Sequence, residues 1–239
     1  MYRIKRFLRQ FQAPTQIARP ITGVMALRDR YSDLHDLLKN DNLVIVDGGA
    51  NIGTVTDLFL QQYDNPTIHA IEPRPDAALV MQSKYKNQAN VHVHMCALGA
   101  EDATLSFNVV GHETSSSLLK PSSTNHHYHP DIMAVTQSIN VPVKRLDTLV
   151  DIDIDLLKLD LQGYELEALK GCGALLQRIK TITTEVEFIP LYDKQPLFAD
   201  IDIFLRGHGF KLFNLYELWT QDDGQLTAGD AVYLNTRYF

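Results

Sequence analysis

The first residues that could do chemistry are an aspartate and the glycines after it, in the stretch LVIVDGGANIG. Asp47 ends an apolar, strand-like run, and Gly48, Gly49 and Gly53 precede a helix-like stretch. Glycines at such a turn let a ligand approach the backbone closely. The spacing D-G-G-x-x-x-G lacks the third glycine of the dinucleotide fingerprint, and no lysine completes a phosphate-binding loop. An acid without a basic partner repels a diphosphate and suits a ligand whose amino group it can pair.

A second acid, Glu72, ends the next strand-like run, TIHAIEP, and is followed by Pro73. A carboxylate at the tip of the second strand is placed to accept both hydroxyls of a ribose. The alternative is an exposed acid that caps the following helix. Together with Asp47, Glu72 favours a nucleoside ligand that also carries an amino group. S-adenosylmethionine (SAM) has both features, and we expect it as the cofactor.

The stretch KLDLQGYE places three polar side chains at the end of another strand-like run. Asp160 lies at the strand end, and Gln162 and Glu165 follow in the turn. A carboxylate or an amide oxygen there can stabilise the positive charge of a methyl-donating sulfonium. Asp160 is therefore predicted as a catalytic residue that also contacts the cofactor, with Gln162 beside it. Glu165 either contacts the substrate or stabilises the first turn of the next helix.

Two further acids, Glu185 and Glu187, alternate in TTEVEF and therefore share one face of a strand. We assign both to substrate binding. With Asp160 they could instead hold a divalent cation, because magnesium prefers oxygen ligands. The sequence allows such a metal without predicting one. The remaining alternative is a polar edge of the cleft.

The elements that position these residues alternate along the chain. From Leu43 onward, short β-branched runs are followed by amphipathic stretches, which is the pattern of a parallel sheet with helices on both faces. NVHVHMCAL is predicted as the third strand, and ATLSFNVV and SINVPVKRL as two strands of an inserted hairpin. KLFNLYELW and AVYLNTRYF close the chain as an antiparallel edge. We expect an N-terminal helical segment, 1–39, and one catalytic domain, 40–239.

Composition narrows the choice of partners. The chain of 239 residues is 45% hydrophobic and carries a net charge of −7. Nucleic-acid binding needs a concentrated basic surface, so a small molecule or a glycan fits better as the substrate. Two distant cysteines argue against a disulfide framework, and no run of about 18 apolar residues predicts a transmembrane span. Because no signal-like run stands at the N-terminus, we expect a cytoplasmic protein.

The N-terminal stretch MYRIKRFLRQF is a local exception to the acidic balance. Apolar residues recur at helical spacing from Ile4 to Phe11, and basic residues fill most other positions. A helix in residues 1–12 could lie on an anionic membrane surface. The simpler interpretation is that its apolar stripe docks on the domain, or on a second copy of the chain in a homo-oligomer.

Four stretches in this order, VDGGANIG, AIEP, CALGAED and LLKLDLQGYELEALKG, resemble the FkbM-type family of SAM-dependent methyltransferases. The resemblance runs from about Leu43 to Phe188. It implies a Rossmann-like class I methyltransferase fold, α/β with a mostly parallel seven-stranded sheet, and O-methylation of a hydroxyl on a sugar, glycan or polyketide-like molecule. It also implies cofactor contacts at Asp47, Gly49, Asn51, Gly53 and Glu72, with Ala97 and Leu98 facing the adenine and Glu101 or Asp102 reaching its amino group.

Methyl transfer to a hydroxyl needs a group that takes the proton, and histidine is the usual base. His112 in GHETSSSL is our candidate, with His208 and the cluster NHHYHP as alternatives. The serine- and histidine-rich loop 111–130 is long enough to form a lid.

Two other functions stay open at this point. A nicotinamide-dependent oxidoreductase is disfavoured by the glycine spacing. A non-catalytic scaffold that keeps the cofactor fold without turnover is compatible with the motifs, because fold does not imply function.

Overall fold

The computed structural model describes residues 29–39, 42–111, 115–122 and 134–239. The predicted basic helix at residues 1–12, His112 and the histidines of NHHYHP lie outside these ranges. Within them, no helix is long and apolar enough to cross a membrane.

The helices and strands follow the predicted alternation. The helices are α1 (Arg30–Leu37), α2 (Thr54–Gln62), α3 (Pro75–Lys84), α4 (Leu146–Leu149), α5 (Glu165–Lys170) and α6 (Phe198–Gly207), with a 3₁₀ helix at Gly173–Arg178. The strands are β1 (Val44–Gly48), β2 (Thr67–Ile71), β3 (Val91–His94), β4 (Ala97–Leu98), β5 (Ala103–Val110), β6 (Val135–Lys144), β7 (Ile154–Leu159), β8 (Ile179–Glu187), β9 (Phe210–Thr220) and β10 (Leu226–Asn235).

The main sheet has the strand order β3-β2-β1-β7-β8-β10-β9. The pairs from β3 through β8 are parallel, and β10 runs antiparallel to both β8 and β9. The Rossmann-like fold, with seven strands and an antiparallel C-terminal edge, is thereby confirmed. Because β1 lies between β2 and β7, the carboxyl ends of these three strands meet at one edge, where ligands bind in open α/β sheets.

Helices cover both faces of the sheet, since alternate residues of a strand point to opposite faces. On one face, Ile45 and Leu156 pack with α1 and α2. On the other face, Val46, Leu157 and Ile182 pack with α5 and α6. This two-sided burial explains why the central strands read as nearly continuous apolar runs. It also makes the polar residues at the strand ends conspicuous in the sequence.

A second, three-stranded sheet has the order β4-β6-β5. The predicted hairpin is confirmed, because β5 and β6 pair in antiparallel fashion. The prediction of NVHVHMCAL as a single strand is wrong. The chain leaves the main sheet after His94, and Ala97 and Leu98 pair with β6 instead. Both side chains are buried, so the apolar pattern continues although the partner strand has changed.

Candidate functional site

A cavity opens where the carboxyl ends of β1, β2 and β7 meet, beside β4. Seven residues predicted as site residues line it: Gly49, Asn51, Glu72, Ala97, Leu98, Asp160 and Gln162. These residues are far apart in sequence and are brought together by the order of the strands. The predictions for the three strand ends therefore converge on one cleft.

The glycine turn needs its glycines for geometric reasons. Gly49 has φ +73°, and a Cβ there would lie 2.0 Å from the carbonyl oxygen of Asp160. Gly53 has φ +82°, and a Cβ there would meet the hydroxyl of Tyr85 at 2.4 Å. Gly53 lies behind the turn and does not line the cavity. Close packing of backbone against backbone is thus the direct reason for Gly49, with φ > 0 as a second one.

Glu72 is buried at the tip of β2 and lines the cavity. Its two carboxylate oxygens accept backbone N–H groups, from Asn51 at 2.8 Å and from Arg74 at 2.9 Å. Burial raises the pKa of Glu72, and these two hydrogen bonds oppose that rise. The alternative of an exposed capping acid is wrong, because the side chain is only 5% exposed. Both oxygens retain capacity to accept further donors from a ligand.

Asp47 has a basic partner that the sequence did not reveal. Lys158 Nζ lies 3.0 Å from Asp47 Oδ1, and Thr56 Oγ1 donates to Asp47 Oδ2 at 2.7 Å. Lys158 Nζ also donates to the carbonyls of Gly48 and Gly49, at 3.1 Å each. The premise that Asp47 stands without a basic partner is wrong. Asp47 is fully buried and does not line the cavity, whereas Lys158 does.

The pKa of Lys158 follows from this pairing. Burial alone would lower it, but Asp47 and Asp160 outweigh burial and raise it. Lys158 is therefore a cation that pairs with Asp47 and donates to two carbonyls. Its contacts connect the glycine turn after β1 to β7, the strand that neighbours β1 in the sheet.

At the carboxyl end of β7, the amide of Gln162 joins two carboxylates. Its Nε2 donates to Asp160 Oδ1 at 2.9 Å and to Glu185 Oε2 at 2.6 Å. The backbone of Gln162 has φ 55°, a left-handed conformation that a non-glycine residue rarely adopts. Such conformations persist where surrounding contacts hold them, and they concentrate at functional sites.

The acids near this amide have raised pKa values. Burial, followed by Asp160, raises the pKa of Glu185 well above its usual value. Burial, followed by Glu165, does the same for Glu187. The pKa of Glu165 rises to about 7, mainly through burial. A crowded group of acids with few cations favours protons on some of its members.

Three acids predicted to bind substrate lie outside the cavity lining. Glu165 is buried in the first turn of α5, and its Oε1 accepts the N–H of Leu161 at 2.6 Å, so this side chain braces the turn before its own helix. Glu185 reaches the cleft through Gln162. Glu187 is buried behind it.

Asp102 also lies outside the cavity lining. Its carboxylate pairs with Lys144 Nζ at 2.7 Å and accepts the N–H of Arg145 at 3.0 Å, on the surface of the second sheet. This places Asp102 at the connection from β6 to α4 and away from the predicted adenine contact. Of the histidines, His208 lies at the end of α6 and does not line the cavity, while His112 falls outside the described residues.

No group of three histidine, cysteine or acidic side chains within the described ranges is arranged to hold a metal ion. The structure thus offers no support for the divalent cation considered at Asp160, Glu185 and Glu187.

Several lining residues were missed from the sequence. They include Phe107 on β5, Ser116 and Leu118 in the described part of the long loop, Lys158, and Tyr164 before α5. Residues 115–122 of the loop are attached to the turn after β7, because Ser117 Oγ donates to the carbonyl of Gln162 at 2.8 Å. The length of the loop was a signal for a lid. Lys158 had a signal too, as a lone charge in the apolar run LLKLD, whereas Phe107 had none.

Comparison with known proteins gives a consistent result. The model of the methyltransferase FkbM domain matches residues 47–212. Methyltransferase 1 of Beauveria bassiana (strain ARSEF 2860) is 34% identical over 185 residues, 71% of this chain and 73% of that protein. Methyltransferase sdnD of Sordaria araneosa is 30% identical over 208 residues, covering 76% and 78%. The 2-O-methyltransferase NoeI of Sinorhizobium fredii (strain NBRC 101917 / NGR234) is 26% identical over 179 residues, covering 70% and 73%.

Among solved structures, methyltransferase FkbM from Methylobacillus flagellatus KT superposes with a TM-score of 0.52 at 17% identity. The superposition covers 81% of this chain and 44% of that one. The chain thus spans less than half the length of that protein. At this identity the likeness concerns the fold alone.

Proposed function

The chain belongs to the FkbM methyltransferase family, as its motifs predicted, and we propose that it uses SAM to methylate a hydroxyl of a sugar, glycan or polyketide-like small molecule. One observation carries the proposal. The cavity at the carboxyl ends of the parallel strands has a buried carboxylate, Glu72, on one side of β1 and a second carboxylate, Asp160, on the other.

The residues on the β2 side fit the nucleoside part of SAM. Glu72 offers two carboxylate oxygens with free lone pairs, which suits the two hydroxyls of a ribose. Ala97, Leu98 and Phe107 give the cavity an apolar wall, which suits the flat face of an adenine. The glycine turn between the two carboxylates leaves room for the chain that joins the nucleoside to the amino acid.

The residues on the β7 side fit the reacting part. When bound, SAM supplies a methyl group on a positively charged sulfur. The carboxylate of Asp160 can stabilise a cation there. The loop residues Ser116 and Leu118 line the same cavity, where a bound substrate would be in contact with them. A hydroxyl held beside Asp160 would be oriented for attack, which lowers the barrier of a two-substrate transfer.

The choice of a hydroxyl acceptor is supported by a relative named as a 2-O-methyltransferase. It is also supported by the polar character of the acceptor side, where carboxylates and amides can bind the hydroxyls of a sugar-like molecule.

Titration calorimetry with SAM, with its demethylated product S-adenosylhomocysteine (SAH) and with NAD tests the cofactor. We expect SAM and SAH to bind and NAD to leave the protein unchanged. Glu72→Gln keeps the shape but weakens the carboxylate as an acceptor, so it should lower the affinity for both by roughly 10- to 100-fold.

The matched control is Glu167→Gln, on the exposed side of α5, where the carboxylate pairs with Lys170. It should bind SAM like the wild type. If the folded wild type binds neither SAM nor SAH, the proposed function is wrong, and NAD binding instead would favour an oxidoreductase.

A further inference from the structure

We propose that Glu185 takes the proton from the acceptor hydroxyl, and that a cation bound at the Asp160 end of the cavity prepares Glu185 for this step. The inference rests on the proposed function and deepens it. It replaces the histidine base expected from the sequence with a carboxylate of the same cleft.

The contacts of Gln162 place Glu185 at the cleft. One amide nitrogen donates to both Asp160 and Glu185, so its two hydrogens are used and the two carboxylates are held close together. The amide oxygen of Gln162 lies 3.1 Å from the hydroxyl of Tyr192. That hydroxyl also lies 2.8 Å from the carbonyl of Ser115. Because carboxylates occupy one side of the amide and a hydroxyl the other, the amide has only one favourable orientation.

Glu185 is distinguished from the other acids by its place. Asp160 and Gln162 line the cavity, and Glu185 is half-buried directly beside them. Glu187 lies two residues further along the same face of β8 and is only 2% exposed, so it is less accessible than Glu185. Glu165 already accepts a hydrogen bond from the backbone N–H of Leu161. Among Glu165, Glu185 and Glu187, Glu185 is therefore the acid that is partly exposed and hydrogen-bonded to a side chain of the cavity lining.

The surroundings of Glu185 are strongly acidic. Four other acids face it from β7, α5, β8 and β10: Asp160, Glu165, Glu187 and Asp230. Among the described residues, two cations lie near this group and also interact with Asp160: Lys158, which pairs with Asp47, and Arg30, which pairs with Asp230.

This environment favours a proton on Glu185 while no cation is bound. Burial and then Asp160 raise the pKa of Glu185 for that reason. A positive charge at the Asp160 end acts in the opposite sense, because it stabilises the ionised form. Cation binding should therefore expel a proton and leave a carboxylate that can accept the next one.

The proposed step balances. The acceptor oxygen forms a bond to the methyl carbon as the carbon–sulfur bond breaks, and the electron pair of that bond stays on sulfur. The acceptor O–H bond breaks, and its proton moves to the carboxylate of Glu185. Glu185 ends neutral, and the cleft has then lost the positive charge that kept Glu185 ionised. The proton leaves to solvent when the next cation binds.

Proton release on ligand binding tests the proposal without knowledge of the acceptor. SAM, which is charged at sulfur, and SAH, which is not, are titrated at pH 6 to 8 in phosphate and in imidazole buffer, whose ionisation enthalpies differ. The dependence of the binding heat on the buffer gives the number of protons released. We expect SAM to release more than SAH, by roughly half a proton or more near the pKa of Glu185, and the difference to vanish at higher pH.

Variants assign this proton to its residue. Glu185→Gln should abolish the difference between SAM and SAH, Glu185→Asp should retain it in part, and Glu167→Gln should leave it unchanged. Equal proton release with SAM and SAH in the wild type would overturn the proposal even if Glu185→Gln fails to fold. A full difference in folded Glu185→Gln would overturn it as well. If the folded wild type binds no SAM, the proposed function fails first, and the two failures are thereby distinguished.

Discussion

The two sides of the cleft treat their carboxylates in opposite ways. On the β1 and β2 side, Asp47 is paired with Lys158, and Glu72 accepts two backbone N–H groups. On the β7 and β8 side, Asp160 and Glu185 share one neutral amide, that of Gln162. The first side compensates each charge with fixed donors. On the second side, several acids lie close to one another.

The difference separates binding from proton transfer. A carboxylate whose oxygens accept fixed donors keeps its orientation, which suits recognition of a ligand. A crowded carboxylate holds a proton that a change of charge nearby can remove, which suits catalysis near neutral pH. The same chemical group can thus serve both purposes within one cavity, because its neighbours decide its state.

The largest effect on stability should come from removing the cation that pairs with a buried carboxylate on the β1 and β2 side. Lys158→Met removes the partner of Asp47, which is fully buried, and leaves an uncompensated charge. Breaking a buried ion pair on one side costs about 3–5 kcal/mol. Urea unfolding at pH 7 should show this loss in the free energy of unfolding.

The double variant Asp47→Asn with Lys158→Met is the control for that experiment. It removes both charges, so it should recover part of the lost stability. A double variant less stable than Lys158→Met alone would contradict the view that the ion pair compensates Asp47.

A smaller effect, of opposite sign, is expected on the crowded side. The pKa of Glu165 is about 7 in the folded protein, above its value in an unfolded chain. The folded protein then binds more protons than the unfolded one, so this contribution to stability is present at low pH and is lost as pH rises through about 4.5 to 7. Glu165→Gln keeps an oxygen for the N–H of Leu161 and removes the titration.

Relative to the wild type, Glu165→Gln should gain roughly 2 kcal/mol in the free energy of unfolding between pH 5 and pH 8. Urea unfolding of both proteins at each pH measures this, and other titrating groups cancel in the difference. If the free energy of unfolding changed with pH in the same way in both proteins, the pKa of Glu165 would not be raised as described.

The smallest effect is expected for a residue outside the cleft. Asp102 was expected at the adenine, but it pairs with Lys144 on the surface. Asp102→Asn should therefore leave the affinity for SAM within about twofold, since exposed ion pairs contribute little. Titration calorimetry measures this affinity, and a tenfold loss would indicate that Asp102 contacts the cofactor.

Much of this architecture could be predicted from the sequence, because two-sided burial makes parallel strands apolar and leaves Glu72, Asp160 and Gln162 conspicuous at their ends. The pairing of Asp47 with Lys158 could not. The two residues are neighbours through the register of β1 with β7, which local patterns do not encode. The register, and with it the compensation of Asp47, depends on contacts distant in sequence.

The same limit explains two predictions that differ from the structure, the single strand NVHVHMCAL and the position of Asp102. An apolar run such as NVHVHMCAL shows that its residues are buried, but it does not show which strand they pair with. Asp102 was assigned by its nearness in sequence to Ala97 and Leu98. The turn between β4 and β5 carries it to the surface of the second sheet instead.

Gly49 lies so close to the backbone of Asp160 that even a methyl group does not fit between them. Chimeras that take the turn after β1 from one relative and the turn after β7 from another would therefore join two surfaces shaped for different partners. Exchange of substrate preference between relatives should succeed when both turns come from the same parent. The two turns should therefore be exchanged together, although more than a hundred positions of the chain separate them.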